Sequence, residues 1–225
     1  MKSVWTDSID IQNFDGLKKD IKTDVLIIGG GMAGLLCAYQ LDMAGVNYVL
    51  VEGSRIGSGV TKNTTAKITS QHGLIYDNLI KNAGLEKAKM YLQVNELAIS
   101  KFKNLCKDID CNFEEKNAFV YSLTDRKAIE NEVAAVNKLG MKAEFTDKLP
   151  LPFDSVSAIK FNNQAQFNPL KFIAAISKNL NIYENSFITS IDIKKGVAQC
   201  NNIKITADKI IVATHFPFIN THGSY

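Results

Sequence analysis

The spacing of apolar residues changes along this chain, and each change predicts an element. Val25-Leu26-Ile27-Ile28 is a short unbroken apolar run that suits a strand buried on both faces. A glycine cluster follows at once, then a helical stretch, then a second apolar run over residues 48–51 that ends at Glu52. Leu85, Ala88, Tyr91, Leu92, Val94, Ala98, Ile99, Phe102 and Leu105 recur at helical spacing and predict one long amphipathic helix over residues 84–107. Residues 111–122 read as two short strands joined at Lys116-Asn117, and residues 125–139 as a second helix with Asp125 near its N-cap. Extended pieces follow at 142–145 and 157–161, separated by a turn-rich connector at 149–152. Asn168-Pro169 opens a helix over 170–179, with asparagine as cap and proline at the first helical position. Short strands are expected at 182–184, 186–193, 197–200 and 203–206, and one more buried strand at 209–214. Residues 1–22 form a polar lead-in anchored by Val4, Trp5, Phe14 and Leu17.

Strands alternating with helices at both ends of the chain predict an α/β class with a parallel sheet. The mixed region between them reads as an insertion. The expected division is residues 1–79 and 164–225 for one discontinuous domain, and 80–163 for the inserted one.

The glycines after the first strand carry the chemistry. Gly29-x-Gly31-x-x-Gly34 between a strand and a helix fits the dinucleotide fingerprint. Gly29 permits the tight turn, Gly31 lets the backbone approach a pyrophosphate, and Gly34 lets the helix lie close to the strand. The free amides and positive dipole end of the helix favour an anion there. Glu52 ends the second strand, where a carboxylate accepts hydrogen bonds from a ribose diol and disfavours a 2′-phosphate.

Composition removes several other classes. With 225 residues, 46% hydrophobic and 22% charged, the chain is an ordinary globular sequence, and a net charge of +3 without a basic block does not point to nucleic acid. The most apolar segment is broken by glycines and is shorter than the roughly 20 residues a membrane span needs. The beginning of the chain lacks the plan of a signal peptide, so a cytoplasmic protein is expected. Cys37, Cys106, Cys111 and Cys200 show no paired spacing, and His72, His215 and His222 add no ligand pattern, so no metal site is expected. Residues 53–67 are dense in glycine and hydroxyl groups and predict a donor-rich loop beside the pyrophosphate, with Arg55 as its charge partner. The only other arginine, Arg126, falls at an exposed helix start, which leaves no evident clamp for a substrate carboxylate.

With these motifs in view, the chain resembles the FAD-dependent amine and amino-acid oxidoreductases of the D-amino-acid oxidase type, whose relatives include glycine oxidase and sarcosine oxidase. The resemblance rests on residues 29–52, the loop 53–67, the Gln166-Phe167-Asn168-Pro169-Leu170 helix start and the strand end Val212-Ala213-Thr214. It is closest to bacterial members with Gly-Ser-Gly-Val-Thr followed by Thr-Thr-Ala-Lys, a subgroup that often carries a Rieske domain; no such Cys/His set is present here. The resemblance implies a Rossmann-like FAD-binding domain interrupted by a substrate-type domain. It assigns Gly29, Gly31, Met32, Ala33 and Gly34 to the FAD pyrophosphate and Glu52 to the ribose. Gly53, Ser54, Arg55, Thr61, Thr64, Thr65 and Ala66 would line the pyrophosphate-to-flavin stretch, Ile188 the adenine, and Ala213 and Thr214 the return of the chain over the dinucleotide. Members of this type run well past the strand at Val212, so the resemblance also implies a C-terminally truncated chain and an incomplete substrate-type domain. A partner chain or the missing segment would complete the fold.

The implied reaction is oxidation of a C–N bond of a small amine or amino acid by hydride transfer to flavin. No catalytic residue is assigned: His72 and His215 fall near the expected flavin without a defined task. Two alternatives stand beside this reading: a truncated, non-catalytic FAD-binding module, and an NAD-dependent dehydrogenase.

Overall fold

A computed structural model describes residues 3–6, 9–149 and 152–215. The chain divides into two compact units, residues 1–65 with 169–225, and residues 66–168.

The chain enters the first unit through strand β1 (Ile21–Ile28), helix α1 (Met32–Met43) and strand β2 (Tyr48–Val51). It then builds the second unit from β3 (Lys67–Ile68), α2 (Tyr76–Ala83), α3 (Leu85–Leu105), β4 (Glu114–Ser122), α4 (Arg126–Lys138), β5 (Glu144–Thr146) and β6 (Ser157–Gln166). It returns to the first through α5 (Pro169–Ile176), β7 (Ile182–Tyr183), β8 (Ser190–Asp192), β9 (Val197–Cys200) and β10 (Ile203–Val212).

The sheet of the first unit runs β7-β2-β1-β10-β9-β8. Its first four strands are parallel, and β9 and β8 add an antiparallel flank. All four residues of β2 are buried, as are Val25, Leu26, Ile27 and Ile28 of β1, the mark of strands covered on both faces. Leu26, Ile28, Val49, Val51, Ile188, Ala198 and Ile205 share one core cluster. Ile28 pairs with both Val51 and Val212, so three parallel strands end at one level and present the β1–α1 turn there. That is where ligands bind in open parallel sheets.

In the second unit β6 is the central strand, with β4 along one side and β3 and β5 along the other, all antiparallel. Its core gathers Tyr76, Ala88, Leu92, Ile129, Val136, Ile159 and Phe161. Tyr76 stacks on Phe161 with ring centroids 6.3 Å apart, and burial pushes its phenol well above the ordinary tyrosine range. Glu132 is fully buried and accepts hydrogen bonds from the amides of Ile75, Tyr76 and Asp77, so it satisfies the first-turn donors of α2 from a neighbouring helix.

Several elements differ from the sequence reading. The two strands expected over 111–122 are the single strand β4, which absorbs Lys116 and Asn117 as a register shift against β6. The two strands expected at 203–206 and 209–214 are likewise one, β10, which ends at Val212. No turn chemistry separates Ala207 from Lys209, and β1 offers a continuous parallel partner. β1 begins four residues before the apolar run, and α2, closed by Gly84 at φ 87°, was not expected at all. Residues 186–189 lie outside β8, and α5 stops at Ile176. The first seam between the units falls after Thr65, not after residue 79, because β3 pairs with β6 and Tyr76 belongs to the second core. The second seam falls after Asn168, not after residue 163, because β6 continues to Gln166.

Asp125 caps α4 by accepting from the Ala128 amide at 2.9 Å. Replacing it with alanine is expected to cost about 1 kcal/mol. Thermal denaturation should register this as a fall of roughly 2–4 °C. Among the described residues, no helix is long and apolar enough to cross a membrane, and no cluster of His, Cys, Asp or Glu could hold a metal ion.

Candidate functional site

The β1–α1 turn is shaped by close backbone contacts. Gly29 sits at φ +112°, and a Cβ on it would lie 2.7 Å from the carbonyl oxygen of Ala213. Only glycine meets both demands. A Cβ on Gly34 would lie 1.9 Å from the Gly29 carbonyl oxygen, so α1 touches the turn backbone to backbone. Gly31 differs: its φ of −80° and ψ of −176° suit any residue, and a Cβ there would meet only Thr61 Oγ1 at 3.5 Å. The space in front of Gly31 is therefore a cradle that a methyl group would enter.

Gly31 is the N-cap of α1 and supplies no side-chain cap. The Met32 amide donates to Thr61 Oγ1 at 3.1 Å, which ties the hydroxyl-rich loop to the helix start. No acidic side chain lies in the first turn of α1 itself, so the helix start keeps its preference for an anion. Glu52 reaches back to the turn: one carboxylate oxygen accepts from the Gly30 amide at 2.7 Å and the other from the Ser54 amide at 2.9 Å. Each oxygen keeps a further lone-pair direction for a diol. Turn, helix start and carboxylate thus form one hydrogen-bonded unit whose donor set fits a ribose-pyrophosphate.

The other residues singled out from the sequence fall as follows. Ala213 and Thr214 lie against Gly29, and the Ala213 amide donates to the Ile28 carbonyl. Gly53 and Ser54 continue directly from Glu52 at the surface. Thr64 accepts from the indole Nε1 of Trp5 through its carbonyl, at 2.9 Å, and Thr65 is exposed. Ala66 opens the second unit, buried and at φ 58°. Ile188 sends its side chain into the core, while the Ser186 amide two residues before it donates to the Glu52 carbonyl. Met32 is half-buried and Ala33 exposed at the helix start. His72 and His215 are exposed, and His222 lies outside the described residues. Arg126 is exposed, paired with Glu130 at 3.1 Å and placed over the Phe145 ring.

Arg55, expected beside the pyrophosphate, is turned elsewhere. Its Nε pairs with Glu184 at 3.0 Å, and its two Nη groups donate to Asn13 Oδ1 and to the Ile11 carbonyl. Glu184 is 1% exposed and also accepts from the Ile56 amide at 2.8 Å and the Phe14 amide at 3.2 Å. One buried carboxylate therefore holds the lead-in, the loop after Glu52 and the end of β7 together. Sequence reading missed Glu184, although it ends an apolar strand run as Glu52 does. Its partners lie more than a hundred positions away. Glu184→Gln keeps the shape and removes the charge-assisted acceptors, so it is expected to cost about 2 kcal/mol, seen as a roughly 4–8 °C lower melting temperature.

Two of the buried thiols, Cys106 and Cys200, are poor nucleophiles. Burial pushes the Cys200 thiol up, and burial with the neighbouring Cys111 pushes Cys106 up to about 12.

Residues 24–219 match the DAO family, described as FAD dependent oxidoreductase. Among curated proteins, the chain is 36% identical over 237 residues to YhfW of Bacillus subtilis, named for a Rieske 2Fe-2S iron-sulfur centre, covering 100% of this chain and 46% of that protein. It is 27% identical to gamma-glutamylputrescine oxidoreductase of Escherichia coli, covering 89% of this chain and 50% of that one. Among solved structures, L-proline dehydrogenase from P. horikoshii superposes with a TM-score of 0.67 at 18% identity, covering 87% of this chain and 53% of the other. Glycine oxidase from Geobacillus kaustophilus does so with a TM-score of 0.66 at 17% identity, covering 86% and 55%. The chain thus spans about half the length of the relatives it matches. A family match over most of the chain, on a fold whose parallel strands end at a glycine turn and an acid, leads to one assignment: this chain belongs to the DAO family of FAD-dependent oxidoreductases.

Proposed function

We propose that the chain holds FAD at the β1–α1 turn and that the whole protein oxidises a C–N bond of an amine or amino acid. The observation that carries this is the open cradle at Gly31, set on a helix N-terminus and joined through Gly30 to the Glu52 carboxylate. The amides of Gly31, Met32 and Ala33 would face the pyrophosphate, and Glu52 the adenosine ribose. Thr61, already bonded to the Met32 amide, would flank the phosphates, and Thr64, Thr65 and Ala66 continue along the ribityl stretch. The backbone at Ile188 would meet the adenine, and Ala213-Thr214 would close the near side. Arg55 acts at one remove, by fixing the loop through Glu184.

When bound, FAD supplies a two-electron acceptor for hydride removal from the carbon next to an amine. The protein's part is to orient the dinucleotide and exclude water from it. Free thiols at Cys37, Cys106, Cys111 and Cys200 support a reducing, cytoplasmic setting. The test is the visible spectrum of the purified protein, followed by anaerobic addition of an amine panel. A yellow protein that releases FAD on denaturation and bleaches with an amine is expected. A colourless protein whose melting temperature rises with NAD alone would replace the reading with a dehydrogenase, and one that responds to neither would leave a non-catalytic module.

A further inference from the structure

We infer that Phe187 is the stacking platform for the adenine ring of the bound dinucleotide; the inference rests on the FAD reading above. Phe187 is 66% exposed, although it sits in a segment held tightly to the rest of the unit. The Ser186 amide donates to the Glu52 carbonyl at 2.8 Å and the Asn185 amide to the Ser54 carbonyl at 3.0 Å, so this segment is fastened on both sides of Gly53. Asn185, at φ 49°, turns the chain there, and the side chains of Ser186 and Ile188 are buried on either side of Phe187.

The ring lies against Gly53. A Cβ on that glycine would come within 2.8 Å of Phe187 Cδ2 and 3.6 Å of Phe187 Cβ, so the absence of a side chain at 53 is what admits the ring. Gly53 directly follows the carboxylate that fits the ribose. An aromatic ring seated against backbone, largely exposed to solvent and beside the residue that follows the ribose carboxylate, meets the requirements for base stacking. Phe187 is not among the residues of the core cluster, which Ile188 beside it joins. Stacking is tolerant of the base and does not replace the pyrophosphate and ribose contacts, so its loss weakens binding without abolishing it.

The experiment is equilibrium titration of the full chain and its variants F187A and F187W with FAD and with ADP, alongside the melting temperature of each ligand-free protein. F187A is expected to bind both ligands about 10-fold more weakly, by the same factor, with an unchanged melting temperature, and F187W to bind like wild type. Wild-type affinity in F187A, or a loss that F187W does not restore, would overturn the assignment while leaving the FAD reading intact. A wild-type chain that binds neither ligand would remove the FAD reading and this inference with it.

Discussion

Gly34→Ala is expected to lower the melting temperature by roughly 6–12 °C and to abolish measurable FAD binding, from the addition of one methyl group. The added carbon would stand 1.9 Å from the Gly29 carbonyl oxygen and 3.1 Å from its carbon, and both are backbone atoms at the tightest point of the turn. No rotamer relieves that contact. Either α1 lifts from β1, which uncovers Leu35 and Ala38 from the sheet, or the turn moves against Ala213, whose Cβ is already 3.4 Å from the same position. Overpacking of this kind costs about 3 kcal/mol or more. The turn is also the cofactor site, so the damage to fold and to binding comes together. Circular dichroism melts of the wild type and variant check the first effect, and flavin titration the second.

Gly31→Ala is expected to separate those two effects. Residue 31 has an extended backbone that alanine adopts without strain, and the new carbon meets only Thr61 Oγ1 at 3.5 Å, an ordinary contact. The ligand-free variant should therefore melt with the wild type. Its methyl group enters the space through which a pyrophosphate approaches the α1 amides, and FAD affinity should fall about 10- to 100-fold. Isothermal titration and thermal denaturation on the same samples decide the matter. Equal affinity in the two proteins would place the pyrophosphate elsewhere, whereas a large loss of stability would mean that Gly31 serves packing instead of ligand access.

The contrast between these glycines shows what local sequence carries. The strand, turn, helix, strand and acid of residues 25–52 were legible because every determinant lies within thirty positions: the apolar run, the turn glycines and the terminal carboxylate. The α4 cap at Asp125 was legible for the same reason. Arg55 was read toward the phosphates because its neighbours are loop residues. Its actual partner, Glu184, is brought to it only when β7 pairs with β2. The same distance hid the stapling of the lead-in by Glu184 and Ser186, which bind the amides of Phe14 and Leu17. β10 was split in two because Asp208 and Lys209 interrupt its apolar pattern, and only the parallel partner β1 shows the strand to be continuous. α2 escaped notice because its first-turn donors are satisfied by Glu132 on another helix, so no capping residue precedes it. What sequence could not supply was the register of distant segments, and with it Phe187, whose meaning depends on lying across Gly53.

The central claim is that FAD lies across the β1–α1 turn with its pyrophosphate on the α1 amides and its ribose on Glu52. The crystal structure of the FAD complex tests it most directly. The account predicts pyrophosphate oxygens within hydrogen-bond reach of the amides at residues 31–33 and the ribose diol on the Glu52 carboxylate. FAD density at another place, or a different nucleotide held at that turn, would contradict it.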